Sequence, residues 1–231
     1  MFPELLTAIT DFRGDLYRNI KTARESIDCY DDLGDGGLDT EIAVAAEMVG
    51  HPPSHAPMIT RPFDYGVAIA YPFIPDNWQE TRFSDGRLFG VWYGSTEMET
   101  TIFETVYHWR RFVEDSFAGE DTDISADRRV MLILCQGVLI NLIGKEADYP
   151  ALLDPMDYTF TQAIGRYLHD QGQNGLLVTS TRCDGINAAI FKERVLSNTR
   201  DFCYLTYFWN PARREPLRVE REPGTPWLDI P

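Results

Sequence analysis

The stretch VMLILCQGVLINLI, Val130 to Ile143, constrains the fold of this chain more than any other part of it. It is the longest apolar run, and Gln136, Gly137 and Asn141 interrupt it. A bilayer-crossing helix needs about 20 apolar residues, so the run is too short to span. Its two halves, RVMLILCQ and VLINLI, read instead as strands bent or joined at Gly137. Other parts after Met58 follow the same grammar. RLFGVWYG (87–94) reads as a buried strand, as do GLLVTS (175–180), GINAAIF (185–191) and the aromatic FCYLTYFW (202–209). ITRPFDYGVAIAY reads as extended chain with a proline interruption, and 115–128 as polar loop. Ser95 and Thr96 are N-cap candidates for a helix reaching Asp115, and Asp157 to Asp170 reads as another. The tail from Pro211, rich in prolines and of mixed charge, reads as loosely held. Strands mixed with a few helices indicate the α+β class.

Residues 1–55 read differently. Leu5, Leu6, Ile9, Phe12, Leu16, Ile20, Ala23 and Ile27 recur at three- or four-residue steps, the period of one helix face. A Gly34-Asp35-Gly36-Gly37 turn follows, then a short helix over Thr40 to Val49. HPPSHAP (51–57) breaks the pattern. The expectation is therefore a helical N-terminal extension, 1–55, ahead of a main domain, 56–231. The extension carries four basic and eleven acidic side chains.

Charge narrows the function. The chain of 231 residues holds 36 acidic and 21 basic side chains, a formal charge of −15. Such a chain repels polyphosphate and anionic lipid, which argues against nonspecific nucleic-acid binding and against membrane-surface attachment. No basic segment precedes an apolar one at the start, so no export signal is read there. Cys29, Cys135, Cys183 and Cys203 form no CxxC pair and read as reduced thiols of a cytoplasmic protein.

Several familiar devices are missing. There is no GxGxxG after a strand, no Walker loop and no GxSxG elbow. His51 and His55 have a zinc-like spacing, but the two prolines between them oppose a helix and no third ligand is near, so no metal site is assigned. Cys183 has Arg182 beside it but no identified histidine partner. On the predicted helix after Thr96, Met98, Thr101, Ile102, Thr105, Trp109, Phe112 and Val113 form the core face. Glu97, Thr100, Glu104, His108 and Arg111 lie along its flank. Periodicity alone makes that flank a solvated one, Tyr93 a packing residue and Arg82 a surface charge before the Asp85-Gly86 turn.

Two blocks in order change that reading. RFSDGRLFGVWYGSTEMETTIFE (82–104) and LLVTSTRCDGINAAIF (176–191) together resemble the RES domain, a bacterial toxin family named for an Arg, a Glu and a Ser. Arg82 in TRFSDG takes the place of the arginine in the family's GRWN-like segment, and VWYGS supplies Tyr93. STEMETTIFE supplies Glu99, Thr100, Thr101, Ile102 and Glu104 for the family's helix pattern. Ser180, Arg182, Gly185, Asn187 and Phe191 follow the family's later block, and Arg61 in ITRPFD stands for its first arginine. Thr81, Ser84 and Thr179 replace a glycine, an asparagine and a proline of the pattern, which bears on the geometry of the arginine loop. The resemblance spans about residues 58–215 and leaves residues 1–55 unaccounted for.

The resemblance implies a mixed, mostly antiparallel β core with flanking helices, similar to the ADP-ribosyltransferase fold. It implies NAD as substrate rather than cofactor, cleaved by hydrolysis or phosphorolysis in a toxin neutralised by an Xre-like antitoxin. Glu104, Arg82 and Ser180 would be catalytic, and Arg82, Tyr93, Arg61 and Asn187 would bind NAD. Transfer of ADP-ribose to a protein uses the same residues, and a non-catalytic NAD-binding or interaction module would keep them. The acceptor and any homo-oligomer are left open. The chemistry suits the residue types. Loss of nicotinamide leaves positive charge on the ribose, which a carboxylate stabilises. Arginine suits the diphosphate, an aromatic face the base or sugar, and a hydroxyl can orient the carboxylate.

Overall fold

A two-residue alternation governs the N-terminal part of the fold. The computed structural model describes residues 4–22, 66–117, 119, 121–213 and 215–231. Within them, strand β1 (Ile9–Lys21) runs antiparallel to β3 (Ile124–Asn141), from Ile9 opposite Ile140 to Lys21 opposite Arg128 without a break. This corrects, over Ile9–Lys21, the helix expected from Leu5 to Ile27, whose positions 23–27 lie outside the described residues. Phe12, Gly14 and Leu16 turn inward while Asp11, Arg13 and Asp15 are exposed, the alternation of a half-buried strand. The three- and four-residue steps of the apolar positions mimic a helix face, but an unbroken ladder overrides so weak a local preference.

The compact unit that holds the sheet joins Met1–Thr22 to Tyr65–Pro231, so the boundary expected at 55/56 does not separate β1 from the main domain. The helix expected over Thr40 to Val49, the HPPSHAP segment with His51 and His55, Cys29 and Arg61 all lie outside the described residues.

The eight strands of the described residues form one sheet, with β2 (Trp92–Ser95), β4 (Gly175–Thr179), β5 (Ile186–Ile190), β6 (Leu196–Trp209), β7 (Leu217–Glu222) and β8 (Thr225–Ile230) completing it. The order is β1-β2-β5-β4-β3-β6-β7-β8, and the added β1–β3 ladder closes the first five strands into a ring. Among the described residues only β3 and β4 pair in parallel; the other pairings are antiparallel, as the resemblance implied. β3 is one continuous strand through Gly137. Its register against β6 shifts between Val130 and Met131 and again between Leu132 and Leu134, so the irregularity precedes the glycine. It begins at Ile124, inside the stretch expected to be loop.

Two further expectations change. The tail is a β7–β8 hairpin whose Leu217, Val219 and Ile230 are buried. Residues 87–91 are not strand, although Phe89 and Val91 are buried. Helix α1 (Val67–Ala70) replaces extended chain, and its Ala68 carbonyl accepts from Trp92 Nε1 at 2.9 Å.

Helices α2 (Met98–Ser116) and α3 (Thr159–Asp170) form where expected. Met98, Ile102, Val106, Trp109 and Val113 of α2 pack with Leu205, Tyr207, Leu217 and Val219. Ile164 and Leu168 of α3 pack with Phe83, Phe89, Leu176 and Ala189 in a second cluster. Two glycines let these helices approach the loops of the site. A Cβ on Gly165 of α3 would lie 2.0 Å from the Phe83 carbonyl oxygen, and one on Gly185 would lie 1.8 Å from Thr100 Oγ1 of α2.

If β1 belongs to the sheet, truncating its inward side chain must cost core energy. Leu16, fully buried, should lose about 2–5 kcal/mol on substitution by alanine. Arg13→Ala, on the exposed face, should change stability by less than about 0.5 kcal/mol. Urea unfolding of both variants measures this; equal effects would contradict the strand assignment.

Candidate active site

Glu104 sits on the second turn of α2, half-buried, and one of its oxygens is held from two strands. Ser180 Oγ, just past the end of β4, donates to Glu104 Oε1 at 2.6 Å, and Asn187 Nδ2 of β5 donates to the same atom at 2.6 Å. The Asn187 amide is itself oriented, because Ser95 Oγ of β2 donates to Asn187 Oδ1 at 2.6 Å. Ser95 and Asn187 are direct cross-strand partners in the β2–β5 ladder. Ser180 is 4% exposed, its backbone N–H bonds the Gly185 carbonyl at 2.8 Å, and its Oγ accepts the Arg182 backbone N–H at 3.0 Å. Among the described residues Glu104 Oε2 accepts no hydrogen bond. The carboxylate is therefore fixed by one oxygen and offers the other.

Arg82 lies in a tight turn closed by the Thr81 N–H to Ser84 carbonyl bond at 2.8 Å. Phe83, fully buried, anchors that turn in the core. The Tyr93 hydroxyl holds it as well, accepting the Phe83 N–H at 3.0 Å and donating to Thr81 Oγ1 at 3.0 Å. Burial pushes the Tyr93 phenol up to about 12, so it stays protonated and able to donate. The resemblance put Tyr93 against the base or the sugar; its hydroxyl is engaged by the loop, and its ring is what remains for a ligand.

The Arg82 guanidinium donates to the Leu152 carbonyl at 2.9 Å, the Asp154 carbonyl at 3.0 Å and Thr181 Oγ1 at 3.1 Å, and lies 4.9 Å from the Tyr158 ring centroid. Three of its five N–H groups are thus used within the protein. Burial lowers its pKa, opposed by nearby Tyr158 and Glu104.

These side chains border one cavity of about 350 Å³. Glu104, Arg82, Tyr93 and Asn187 line it; Ser180 lies behind Glu104. Arg61 lies outside the described residues, and Cys183 is not in the lining.

The sequence reading missed two arginines here. Arg18 of β1 enters the cavity wall, donates to the Tyr93 carbonyl at 3.0 Å and stacks on Trp92, with its guanidinium carbon 5.0 Å from the ring centroid. Burial lowers its pKa to about 10, so it is still a cation at neutral pH. Assigning β1 to a helix outside the domain hid it; the alternation of Asp11, Arg13 and Asp15 with Phe12, Gly14 and Leu16 was the available signal. Arg182, read only as a motif position and as a neighbour of Cys183, also lines the cavity.

No described carboxylate forms an ion pair with Arg18, Arg82 or Arg182. In a chain so rich in acids, that leaves three arginines against the two carboxylates of the lining, Glu80 and Glu104. His108, one helical turn beyond Glu104, also lines the cavity. Burial is the main cause holding its imidazole below the usual value; Glu104 opposes this, and Arg182, Arg111 and Arg128 reinforce it. Among the described residues no group of His, Cys, Asp and Glu gathers to hold a metal ion, and no helix is long and apolar enough to cross a membrane.

A chain in the crystal structure of the M.tuberculosis MbcT-MbcA toxin-antitoxin complex aligns over 92% of this chain and 96% of its own, at 12% sequence identity and a TM-score of 0.49. No curated protein matches this chain. A family model described as the RES domain matches residues 51–210. That match takes in α2, the Arg82 turn and the Ser180 loop and covers well over half of the sequence, and the chain belongs to the RES domain family.

Proposed function

We propose that the chain cleaves the bond between nicotinamide and ribose in NAD, with water or phosphate as acceptor. The observation that carries this reading is Glu104, pinned through Oε1 by Ser180 and Asn187 with Oε2 unbonded, in a cavity with three arginines that lack carboxylate partners among the described residues. The arginines attract the diphosphate, and the aromatic wall at Tyr93 and Tyr158 offers faces for the base or sugar.

In the reaction the glycosidic C–N bond breaks and its electron pair goes to the ring nitrogen, so nicotinamide leaves neutral and needs no proton. The ribose is left as an oxocarbenium ion, which the Glu104 carboxylate stabilises more than it does the ground state. Water adds to the anomeric carbon and releases a proton, giving ADP-ribose; phosphate in its place gives the 1-phosphate ester. Ser180 and Asn187 act as positioning residues, because they hold the carboxylate before charge develops. As a toxin of this kind the protein would be restrained by a cognate antitoxin of the Xre-like type, which is part of the same proposal.

Purified protein should release nicotinamide from NAD, and the second product should differ between phosphate-free and phosphate buffer if phosphate is the acceptor. Glu104→Gln should lower the rate about 100- to 1000-fold. Nicotinamide release at the wild-type rate in that variant would refute the assignment.

Tyr93→Phe tests the support for the arginine turn. It leaves the buried Phe83 N–H and Thr81 Oγ1 without their shared partner. We expect a loss of about 1–3 kcal/mol in unfolding free energy, together with a raised KM for NAD. An unchanged KM would show that the turn does not depend on this hydroxyl.

A further inference from the structure

We infer that Arg182 is the contact for the phosphate on the nicotinamide side of the dinucleotide, an inference that rests on the NAD reading of the cavity. Its guanidinium is fixed but unsatisfied. The guanidinium carbon lies 3.4 Å from the Tyr107 ring centroid, and Nη2 donates to the Pro155 carbonyl at 3.2 Å. Nε is buried without a hydrogen-bond partner, and Nη1 donates to nothing among the described residues. Arg82, by contrast, has both terminal nitrogens engaged by Leu152, Asp154 and Thr181. A cation held flat on an aromatic ring, with a whole amino group open and no described carboxylate near enough to pair, is ready for an incoming anion.

Its position selects which anion. The Arg182 backbone N–H holds Ser180 Oγ, which donates to Glu104. Tyr107, beneath the guanidinium, follows Glu104 by three residues on α2 and shares its side of the helix. The cation is thus tied to the carboxylate through both its own backbone and its stacking partner. With Glu104 facing the anomeric carbon, the nearest anionic group of the substrate is the 5′-phosphate of that same ribose. The adenosine-side phosphate is one linkage further away.

Nicotinamide mononucleotide carries only that phosphate, and nicotinamide riboside carries none. Calorimetric titrations in a Glu104→Gln background, where neither ligand is consumed, separate the contributions. The mononucleotide should bind about tenfold or more tighter than the riboside. Adding Arg182→Gln should weaken the mononucleotide by about tenfold or more and the riboside only slightly. Tyr107→Leu, which keeps the arginine but removes the ring beneath it, should shift the mononucleotide in the same direction. In the otherwise wild-type enzyme, Arg182→Gln should raise KM for NAD more than it lowers kcat.

An Arg182→Gln protein that keeps the mononucleotide affinity, or loses both ligands equally, overturns the inference. A parent protein that binds neither ligand overturns it too. Should the ligands follow the expected pattern while the wild type releases no nicotinamide, the inference stands and the proposed reaction falls.

Discussion

Two hydrogen bonds on a single carboxylate oxygen join the parts of the chain on which the site depends. Glu104 comes from α2, Ser180 from the end of β4 and Asn187 from β5, with Ser95 of β2 fixing the asparagine. None of these contacts survives a change of strand register. Asn187 faces Ser95 across one ladder and Val178 across the other, and a one-residue slip would turn its side chain to the opposite face of the sheet. The β1–β3 ladder closes the ring of strands to which β2, β4 and β5 belong, so a long structural pairing secures a short functional one. Gly185 belongs to the same arrangement, since a side chain there would drive α2 away from the Ser180 loop.

Charge is distributed against the average. The sequence carries a formal charge of −15, yet the cavity concentrates Arg18, Arg82 and Arg182 with no described carboxylate in contact. Carbonyl oxygens, hydroxyls and aromatic rings hold these cations in place. Such contacts orient a guanidinium without neutralising it, whereas a carboxylate would compete with any anionic ligand. The acidic remainder of the surface favours binding of anions only where these arginines are, which keeps a small phosphate-bearing molecule within reach and polyanions at a distance.

Much of this was legible in the sequence. The apolar run through β3, the short apolar segments of β4 and β5, the aromatic β6 and the amphipathic α2 announced the α+β fold, because strands and helix each carry their own pattern. Glu104, Arg82, Tyr93, Ser180 and Asn187 stood out by resemblance to the family; four of them line one cavity and Ser180 holds Glu104 from behind. What failed did so where local pattern is ambiguous. The apolar residues of β1 fit a helical period as well as a strand, and only pairing with β3 decides between them. Arg18 was lost with that misreading. The engagement of the Tyr93 hydroxyl by Thr81 and Phe83 could not be read either, since it joins backbone and side-chain atoms across a turn whose geometry the sequence does not specify.

The most direct measurement is a crystal structure of the Glu104→Gln protein with intact NAD bound. The account predicts the anomeric carbon of the nicotinamide ribose in van der Waals contact with the side chain at position 104, and the diphosphate among the cavity arginines. Dinucleotide bound elsewhere on the sheet, or with its adenine end beside residue 104, would contradict it.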